Sequence, residues 1–215
     1  MRLRNIPGAD EIIENSSFVV KDPEMRKGNW HLLFDNQNPI HIEIGMGKGQ
    51  FIIKMAELHP DINYIGIEMY TSVLLRGVQK MQRMAEKEIK NLYFLCMDAK
   101  NIEDVFEKDE IEKIYLNFSD PWPKDRHAKR RLQSREFLER YNKILSLDGE
   151  IEFKTDNKDL FYFALDELEP SGWKIRKKTI NLHQDEEMMT GNVMTEYEEK
   201  FSAKGNPIYK YIIYR

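Results

Sequence analysis

Five residues, Ile40-His41-Ile42-Glu43-Ile44, read as a β-strand and run straight into Gly45-Met46-Gly47-Lys48-Gly49. Gln50 to Leu58 then carry apolar residues at helical spacing, Pro60 ends that helix, and Tyr64-Ile65-Gly66-Ile67-Glu68 reads as a second strand. No other feature restricts the fold as much. Two successive strands joined by one helix become parallel neighbours in a sheet. Three glycines between strand and helix suit a backbone that turns sharply and lets a ligand approach closely. By itself the glycine pattern also fits a tight βα turn without a ligand.

The alternation continues. Ser72 is placed to cap a long helix with Val73, Leu74, Val78, Met81, Met84 and Ala85 on its apolar face. Residues 92–97 form a third strand ending at Asp98-Ala99, Val105-Phe106 sit on a short crossover, and 111–118 form a fourth strand. Ser134 is placed to cap a helix presenting Phe137, Leu138, Tyr141, Ile144 and Leu145. Asp148-Gly149 turns into a fifth strand, 150–155, and Asp156-Asn157 starts a helix that stops at Pro170-Ser171-Gly172. Residues 173–180 and 208–214 are the last strands. No helix of clear period separates them, so they are expected as an antiparallel edge pair. This order predicts an α/β fold, a mostly parallel sheet with helices on both faces. The expected organisation is an extension, residues 1–38, and one domain, residues 39–215. Arg2, Arg4, Lys21, Arg26 and Lys27 make the extension basic, and they suit either a tethered arm or contacts to a phosphate backbone.

A chain of 215 residues with 41% hydrophobic and 33% charged residues has enough core for one folded domain and is not disordered. Its net charge of −4 gives no global nucleic-acid signal, so any such affinity must come from a local patch. The single cysteine, Cys96, excludes an internal disulfide and reads as a buried structural thiol. No apolar run reaches membrane-spanning length and no signal-peptide core is visible, which predicts a cytoplasmic protein. The five histidines are scattered without metal-ligand spacing, so no metal is expected.

The local patch follows the fourth strand. Asn117-Phe118-Ser119-Asp120-Pro121-Trp122-Pro123-Lys124 is succeeded at once by Asp125-Arg126-His127-Ala128-Lys129-Arg130-Arg131. The strand delivers Asp120 to its C-terminal end, and two prolines restrict the loop. An acid held beside a cationic strip suits chemistry on a polyanion. A tight loop with a solvated basic face is the plainer reading. Three further acids frame the glycine loop. Glu68 ends the second strand, where a carboxylate hydrogen-bonds ribose hydroxyls in dinucleotide folds. Glu43 is poorly placed for a pyrophosphate but suits a ligand with an ammonium and a sulfonium. Asp98 can accept from an adenine amine. The acid rim favours S-adenosylmethionine over a nicotinamide dinucleotide.

With these residues assembled, the chain resembles the bacterial tRNA (guanine-N7)-methyltransferase family. The resemblance is carried by Glu43 to Gly49, Gly66-Ile67-Glu68, Asp98-Ala99, Asn117 to Lys124, Arg126 to Leu132, Thr155-Asp156 and Thr195-Glu196-Tyr197-Glu198. It implies a Rossmann-like class I methyltransferase fold with seven strands in the order 3-2-1-4-5-7-6, strand seven antiparallel. It also implies S-adenosyl-L-methionine as donor and the guanine at position 46, in the variable loop of tRNA, as acceptor. By that resemblance Glu43, Gly45, Gly47, Gly49, Glu68, Asp98 and Asp120 bind the cofactor, and Asp120 is catalytic. Lys124, Asp156, Thr195, Glu196, Tyr197 and Glu198 line the guanine site, and Arg126, His127, Ala128, Lys129, Arg130 and Arg131 bind RNA. Guanine N7 carries a lone pair and no proton, so the expected task is alignment and stabilisation of developing charge rather than proton removal. Glu198 is the candidate for accepting from guanine N1–H and N2–H. Two other classes remain open on the residues alone, a nicotinamide-dependent oxidoreductase and a catalytically idle RNA-binding module. A methyltransferase for another base atom or a small molecule is a third, narrower alternative.

Overall fold

The computed structural model describes residues 6–215; Arg2 and Arg4 of the basic extension lie outside the described residues, as does the side chain of Ala85. In chain order the elements are α1 (Ala9–Glu14), α2 (Trp30–Phe34), β1 (Ile40–Ile44), α3 (Gln50–Leu58), β2 (Asn63–Glu68), α4 (Thr71–Arg83), β3 (Leu92–Cys96), α5 (Ile102–Val105) and β4 (Ile111–Asn117). They continue as α6 (Arg135–Ile144), β5 (Leu145–Thr155), α7 (Lys158–Asp166), α8 (Leu168–Ser171), β6 (Lys174–Thr179), α9 (Glu186–Met189), α10 (Glu196–Ser202) and β7 (Tyr209–Tyr214). The seven strands form one sheet in the order β3-β2-β1-β4-β5-β7-β6. β1 with β2, β2 with β3, and β4 with β5 are parallel, whereas β7 is antiparallel to both β5 and β6. The strand order and the reversed seventh strand are those the resemblance implies. The chain divides into two compact units, one ending at Glu107 and the other beginning at Lys108.

In the first unit, Ile42, Ile44, Ile65, Ile67, Phe94 and Leu95 are buried almost without interruption along the strands, as expected where helices cover a parallel sheet. α3 contributes Phe51, Ile52 and Ile53, and α4 contributes Leu74, Leu75, Val78 and Met81. The segment before β1 is built into this unit. Val20 donates to the Phe94 carbonyl at 3.0 Å and Phe94 donates to the Phe18 carbonyl at 2.8 Å, so the segment extends the sheet edge beside β3. Trp30 is fully buried, and its indole N–H donates to the Val105 carbonyl at 3.0 Å. The Lys27 ammonium donates to the Glu103 carbonyl at 2.6 Å, which engages one cation offered to a phosphate backbone.

In the second unit the strand faces differ. Phe153, Phe161 and Tyr211 pack as an aromatic cluster with ring centroids 5.1–6.0 Å apart. Glu152 bonds the ammonium of Lys210 at 2.8 Å and that of Lys113 at 3.1 Å. Burial alone would raise the Glu152 carboxyl; the charges of Lys113, Lys210 and Lys154 outweigh it and hold the group down at about 2. β6 ends the sheet with Lys174, Ile175, Arg176, Lys177 and Lys178 all exposed, a charged edge that resists addition of a further strand.

Four local expectations are corrected. α4 begins at Thr71, so Ser72 lies inside it; the N-cap is Tyr70, whose N–H is taken by Glu68 Oε1 at 3.1 Å. Ser134 is the N-cap of α6, but its hydroxyl makes no cap bond, and Glu167 Oε2 accepts from the Arg135 N–H at 2.6 Å instead. Asp148-Gly149 does not precede the fifth strand but lies within it, in a bulge where pairing shifts from Ile111 with Leu145 to Lys113 with Glu150. A Cβ on Gly149 would stand 2.9 Å from the Ser146 carbonyl oxygen and 2.7 Å from Leu145 Cδ2, which is why a glycine sits there. Cys96 is exposed as the last residue of β3, still in register with Glu68 of β2.

Candidate active site

The first unit supplies the glycine loop. Gly45, Gly47 and Gly49 all have left-handed φ, at 76°, 57° and 74°. An L-residue adopts this region only at a cost of roughly 1–2 kcal/mol. Gly45 and Met46 both donate to the Ile67 carbonyl, at 2.9 and 3.1 Å, so the turn folds back onto the end of β2. A Cβ on Gly66 would collide with the Met46 sulfur, so this glycine lets the loop's own side chain cross the strand. Glu68 braces the arrangement: Oε2 accepts from the Gly47 N–H and Oε1 from the Tyr70 N–H, each at 3.1 Å. A Cβ on Gly47, by contrast, would meet no protein atom within 4 Å. Glu43 is buried two residues before the loop. Asp98 is half-exposed and caps the turn after β3, accepting from the Lys100 N–H at 3.0 Å. Met69 and Tyr70, exposed next to Glu68, add apolar surface that the sequence reading missed; two large side chains directly after the strand-end acid were the available signal.

The second unit supplies the loop after β4. Its backbone takes left-handed φ at two non-glycine residues, Phe118 at 53° and Trp122 at 42°. Such positions store of order 1–3 kcal/mol each and persist only where the surroundings hold them. The Phe118 N–H donates to the Lys154 carbonyl at 2.9 Å, and the Ser119 hydroxyl accepts from the Gln133 amide at 2.8 Å. Arg131 donates from Nε to the Pro121 carbonyl at 2.9 Å and from Nη2 to the Trp122 carbonyl at 3.0 Å, with its guanidinium 4.2 Å from the Phe163 ring centroid. Between these supports the Asp120 side chain is exposed and makes no hydrogen bond or ion pair among the described residues. A loop-capping role for Asp120 therefore finds no N–H partner.

The basic run forms one short helical turn, Asp125–Arg130. Lys124 and Arg126 are exposed, and their side chains have no bonded partner among the described residues. Lys129 pairs with Glu136 at 3.1 Å, and Arg130 stands 5.0 Å over the Trp122 ring, whose edge meets His127 at 5.7 Å. Ala128 is half-buried within the turn.

The remaining acids of this unit are arranged unequally. Asp156, just past β5, accepts from the Tyr197 hydroxyl at 3.1 Å. Partial burial first, and then the Asp156 charge and hydrogen bond, push the Tyr197 phenol up to about 12. The Tyr197 ring stacks on Phe201 at 4.0 Å and lies 5.0 Å from Phe118. Thr195 caps α10 by accepting from the Glu198 N–H at 3.0 Å, and Glu196 is half-buried at the helix start. Glu198 is fully buried. Its Oε2 accepts from the Lys154 ammonium at 2.7 Å; its Oε1 accepts from the Asn192 amide at 2.9 Å, with His183 Nε2 at 3.2 Å. Lys154, also fully buried, donates further to the Val193 carbonyl at 2.9 Å. Both oxygens of the carboxylate expected to read the guanine edge are thus engaged inside the protein. Lys154, Asn192 and His183 were not singled out from sequence. Lys154 sits in an alternating strand pattern like any solvated lysine, and nothing local announces its partner 44 residues away.

Among the described residues no group of three or more His, Cys, Asp or Glu side chains could hold a metal ion, and no helix is long and apolar enough to cross a membrane.

Residues 37–211 match the family described as "Putative methyltransferase". The tRNA (guanine-N(7)-)-methyltransferase of Lachnoclostridium phytofermentans is 58% identical over 215 residues, covering 100% of this chain and 99% of that one. The protein of the same name from Geobacillus thermodenitrificans is 53% identical over 211 residues, covering 98% of this chain and 95% of that one. Among solved structures, one titled "Structure of an antibiotic related Methyltransferase" matches with a TM-score of 0.66 at 18% identity, over 91% of this chain and 94% of that one. A SAM-dependent methyltransferase from Aquifex aeolicus matches with a TM-score of 0.57 at 11% identity, over 98% of each chain. At those identities the structural likeness establishes the fold, and the sequence relatives establish the family. A strand-end glycine loop braced by an acid, a strained loop presenting a free carboxylate, and near-complete alignment with such relatives lead to one placement: this chain belongs to the tRNA (guanine-N(7)-)-methyltransferase family.

Proposed function

We propose that this chain transfers a methyl group from S-adenosylmethionine to N7 of a guanine in tRNA, that the guanine is position 46 of the variable loop, and that it does so in the cytoplasm. The observation that carries the reading is Asp120, an exposed and unpartnered carboxylate on a fixed strand-end loop, in a chain 58% identical along its length to a protein named for this activity. Residues 39–215 act as the methyltransferase domain, in keeping with the family match from residue 37, and residues 1–38 as an extension.

The residues present fit the cofactor. Space free of protein atoms lies where a Gly47 Cβ would be, beside acids that suit a cationic ligand and the apolar surface of Met69 and Tyr70 that suits a planar base. Gly45, Gly47, Gly49, Glu43, Glu68 and Asp98 would hold it; when bound, it supplies a methyl group already activated by its sulfonium. N7 needs no deprotonation, so the chain's own contribution is alignment and charge. Asp120 stabilises the positive charge that the base acquires. Asp156, with Tyr197 attached to it, lines the base site, and the unpaired ammonium of Lys124 reaches a base oxygen or a phosphate. Arg126, Lys129 and Arg130, with His127 and Ala128 in the same turn, take the RNA backbone. We assign Thr195 and Glu198 to holding the segment around residues 192–198 and not to reading the base edge, because Glu198 is buried and saturated.

Incubation with S-adenosylmethionine and unmodified tRNA, followed by nucleoside mass spectrometry and mapping, tests the proposal. N7-methylguanosine at position 46 is expected. Methylation of another atom or another position, or tRNA binding without transfer, overturns it.

A further inference from the structure

In sequence Arg131 is one more cation in a basic run, and the family resemblance places it with the RNA contacts. The structure gives its guanidinium another occupation. Nε and Nη2 donate to the successive carbonyls of Pro121 and Trp122, at 2.9 and 3.0 Å, and the planar group lies 4.2 Å from the Phe163 ring centroid. Two parallel N–H donors from one rigid fork fix direction as well as distance, which a lysine ammonium does not do. The carbonyls it holds directly follow Asp120, and one of them belongs to Trp122, which sits at a left-handed φ of 42°. Asp120 itself has no bond to keep it in place among the described residues. Its position is therefore set by its backbone, and the backbone on its C-terminal side is set by Arg131. Arg131 is half-buried, whereas Arg126 and Arg130 are exposed.

We propose that Arg131 is a positioning residue for methyl transfer: it clamps the Pro121-Trp122 backbone and thereby aims the Asp120 carboxylate, and it is not an RNA contact. The inference rests on the catalytic assignment of Asp120. Arg131→Lys keeps the positive charge and the aliphatic stem but removes the fork. The expected result is a single-turnover methylation rate, at saturating cofactor and tRNA, roughly 10- to 100-fold below the parent, the scale on which misplacement of a catalytic group acts. Affinity for tRNA and its salt dependence stay within about twofold of the parent, because a backbone clamp releases no counterions on binding. Arg126→Gln serves as the contrast, with weakened tRNA affinity and a shallower salt slope.

The decisive arm is the double variant. If Arg131 acts through Asp120, adding Arg131→Lys to Asp120→Asn slows the reaction by less than about twofold beyond Asp120→Asn alone, since the two changes share one effect. A parent-like rate for Arg131→Lys, a loss of tRNA affinity like that of Arg126→Gln, or multiplicative rate losses in the double variant overturns the inference. A parent-like rate for Asp120→Asn instead defeats the Asp120 assignment, which keeps the two failures apart. Should Arg131→Lys not fold, Phe163→Leu removes the ring under the guanidinium and leaves both hydrogen bonds. It is expected to lower the saturated rate by about two- to fivefold at unchanged tRNA affinity, and a parent-like rate there overturns the inference equally.

Discussion

Two loops leave the C-terminal ends of parallel strands in this molecule, and they reach left-handed backbone by opposite means. The loop after β1 does it with Gly45, Gly47 and Gly49, residues to which that conformation is freely open. The loop after β4 does it with Phe118 and Trp122, residues that resist it, and relies on Arg131, Gln133 and two proline rings to stay there. A glycine turn exposes bare backbone, so it suits close approach of a ligand. A strained turn held from outside lifts one side chain, Asp120, into the open and fixes its place. The first device leaves backbone open and the second exposes a side chain.

The contrast is tested most strongly at Asp120. Asp120→Asn should lower the single-turnover methylation rate by about 10²-fold or more, the scale for one preorganised electrostatic group. Its melting temperature should stay at the parent value, since the carboxylate has no partner to lose. A slow variant that also melts early would show that the carboxylate supports its loop and would erase the distinction. Glu68→Ala comes next. Loss of charge-assisted hydrogen bonds of about 1.5–3 kcal/mol should weaken cofactor binding roughly ten- to hundredfold by calorimetric titration. Because Glu68 also holds the Gly47 and Tyr70 N–H groups, faster amide exchange at those two residues should accompany it. Unchanged affinity in a folded variant rules out the cofactor role.

Joint replacement of Arg126, Lys129 and Arg130 by Gln should weaken tRNA binding by about tenfold. It should also flatten the salt dependence by up to roughly 0.7–0.9 per lost phosphate contact, the range between single strands and duplex DNA, and leave cofactor titration unchanged. An unchanged salt slope would make the turn Asp125–Arg130 a solvated face. The smallest effect belongs to Gly47→Ala, which should cost about 1 kcal/mol of stability through its φ alone, because no protein atom stands in the way of the new methyl group. A several-fold loss of cofactor affinity beyond that would show that the empty space is reserved for the ligand. A pure stability loss would reduce the first loop to a turn.

The glycine loop was legible in the sequence because everything that shapes it is local: a strand, three small residues, a helix, and an acid on the adjoining strand. The same holds for the alternation of strands and helices and for the antiparallel edge pair, which local periods disclose, whereas the order of the strands came from the family resemblance. The second loop was legible only in part. Its prolines and its acid could be read, but the role of Arg131 depends on two carbonyls nine and ten residues back and on the Phe163 ring, none of which a basic run discloses. The bonded surroundings of Glu198 were hidden for a similar reason, since its partners come from 6 to 44 residues away and only the folded chain collects them. The bulge at Gly149 escaped because Asp-Gly is a turn signal, whereas this glycine answers a need for space, a Cβ there standing 2.9 Å from the Ser146 carbonyl oxygen.

The Lys154–Glu198 pair bears on how rigid the segment around residues 192–198 is. An ion pair with both side chains fully enclosed cannot be opened on one side without stranding a charge, at a cost of about 3–5 kcal/mol. Residues 192–198 are therefore not a flap that orders when RNA arrives; their amides should exchange with solvent in the same cooperative unit as β5, which carries Lys154. With Tyr197 at the base site as proposed, an arriving nucleotide would meet a surface already in place, and the ordering entropy that a disordered recognition loop loses at each encounter would have been settled once, at folding.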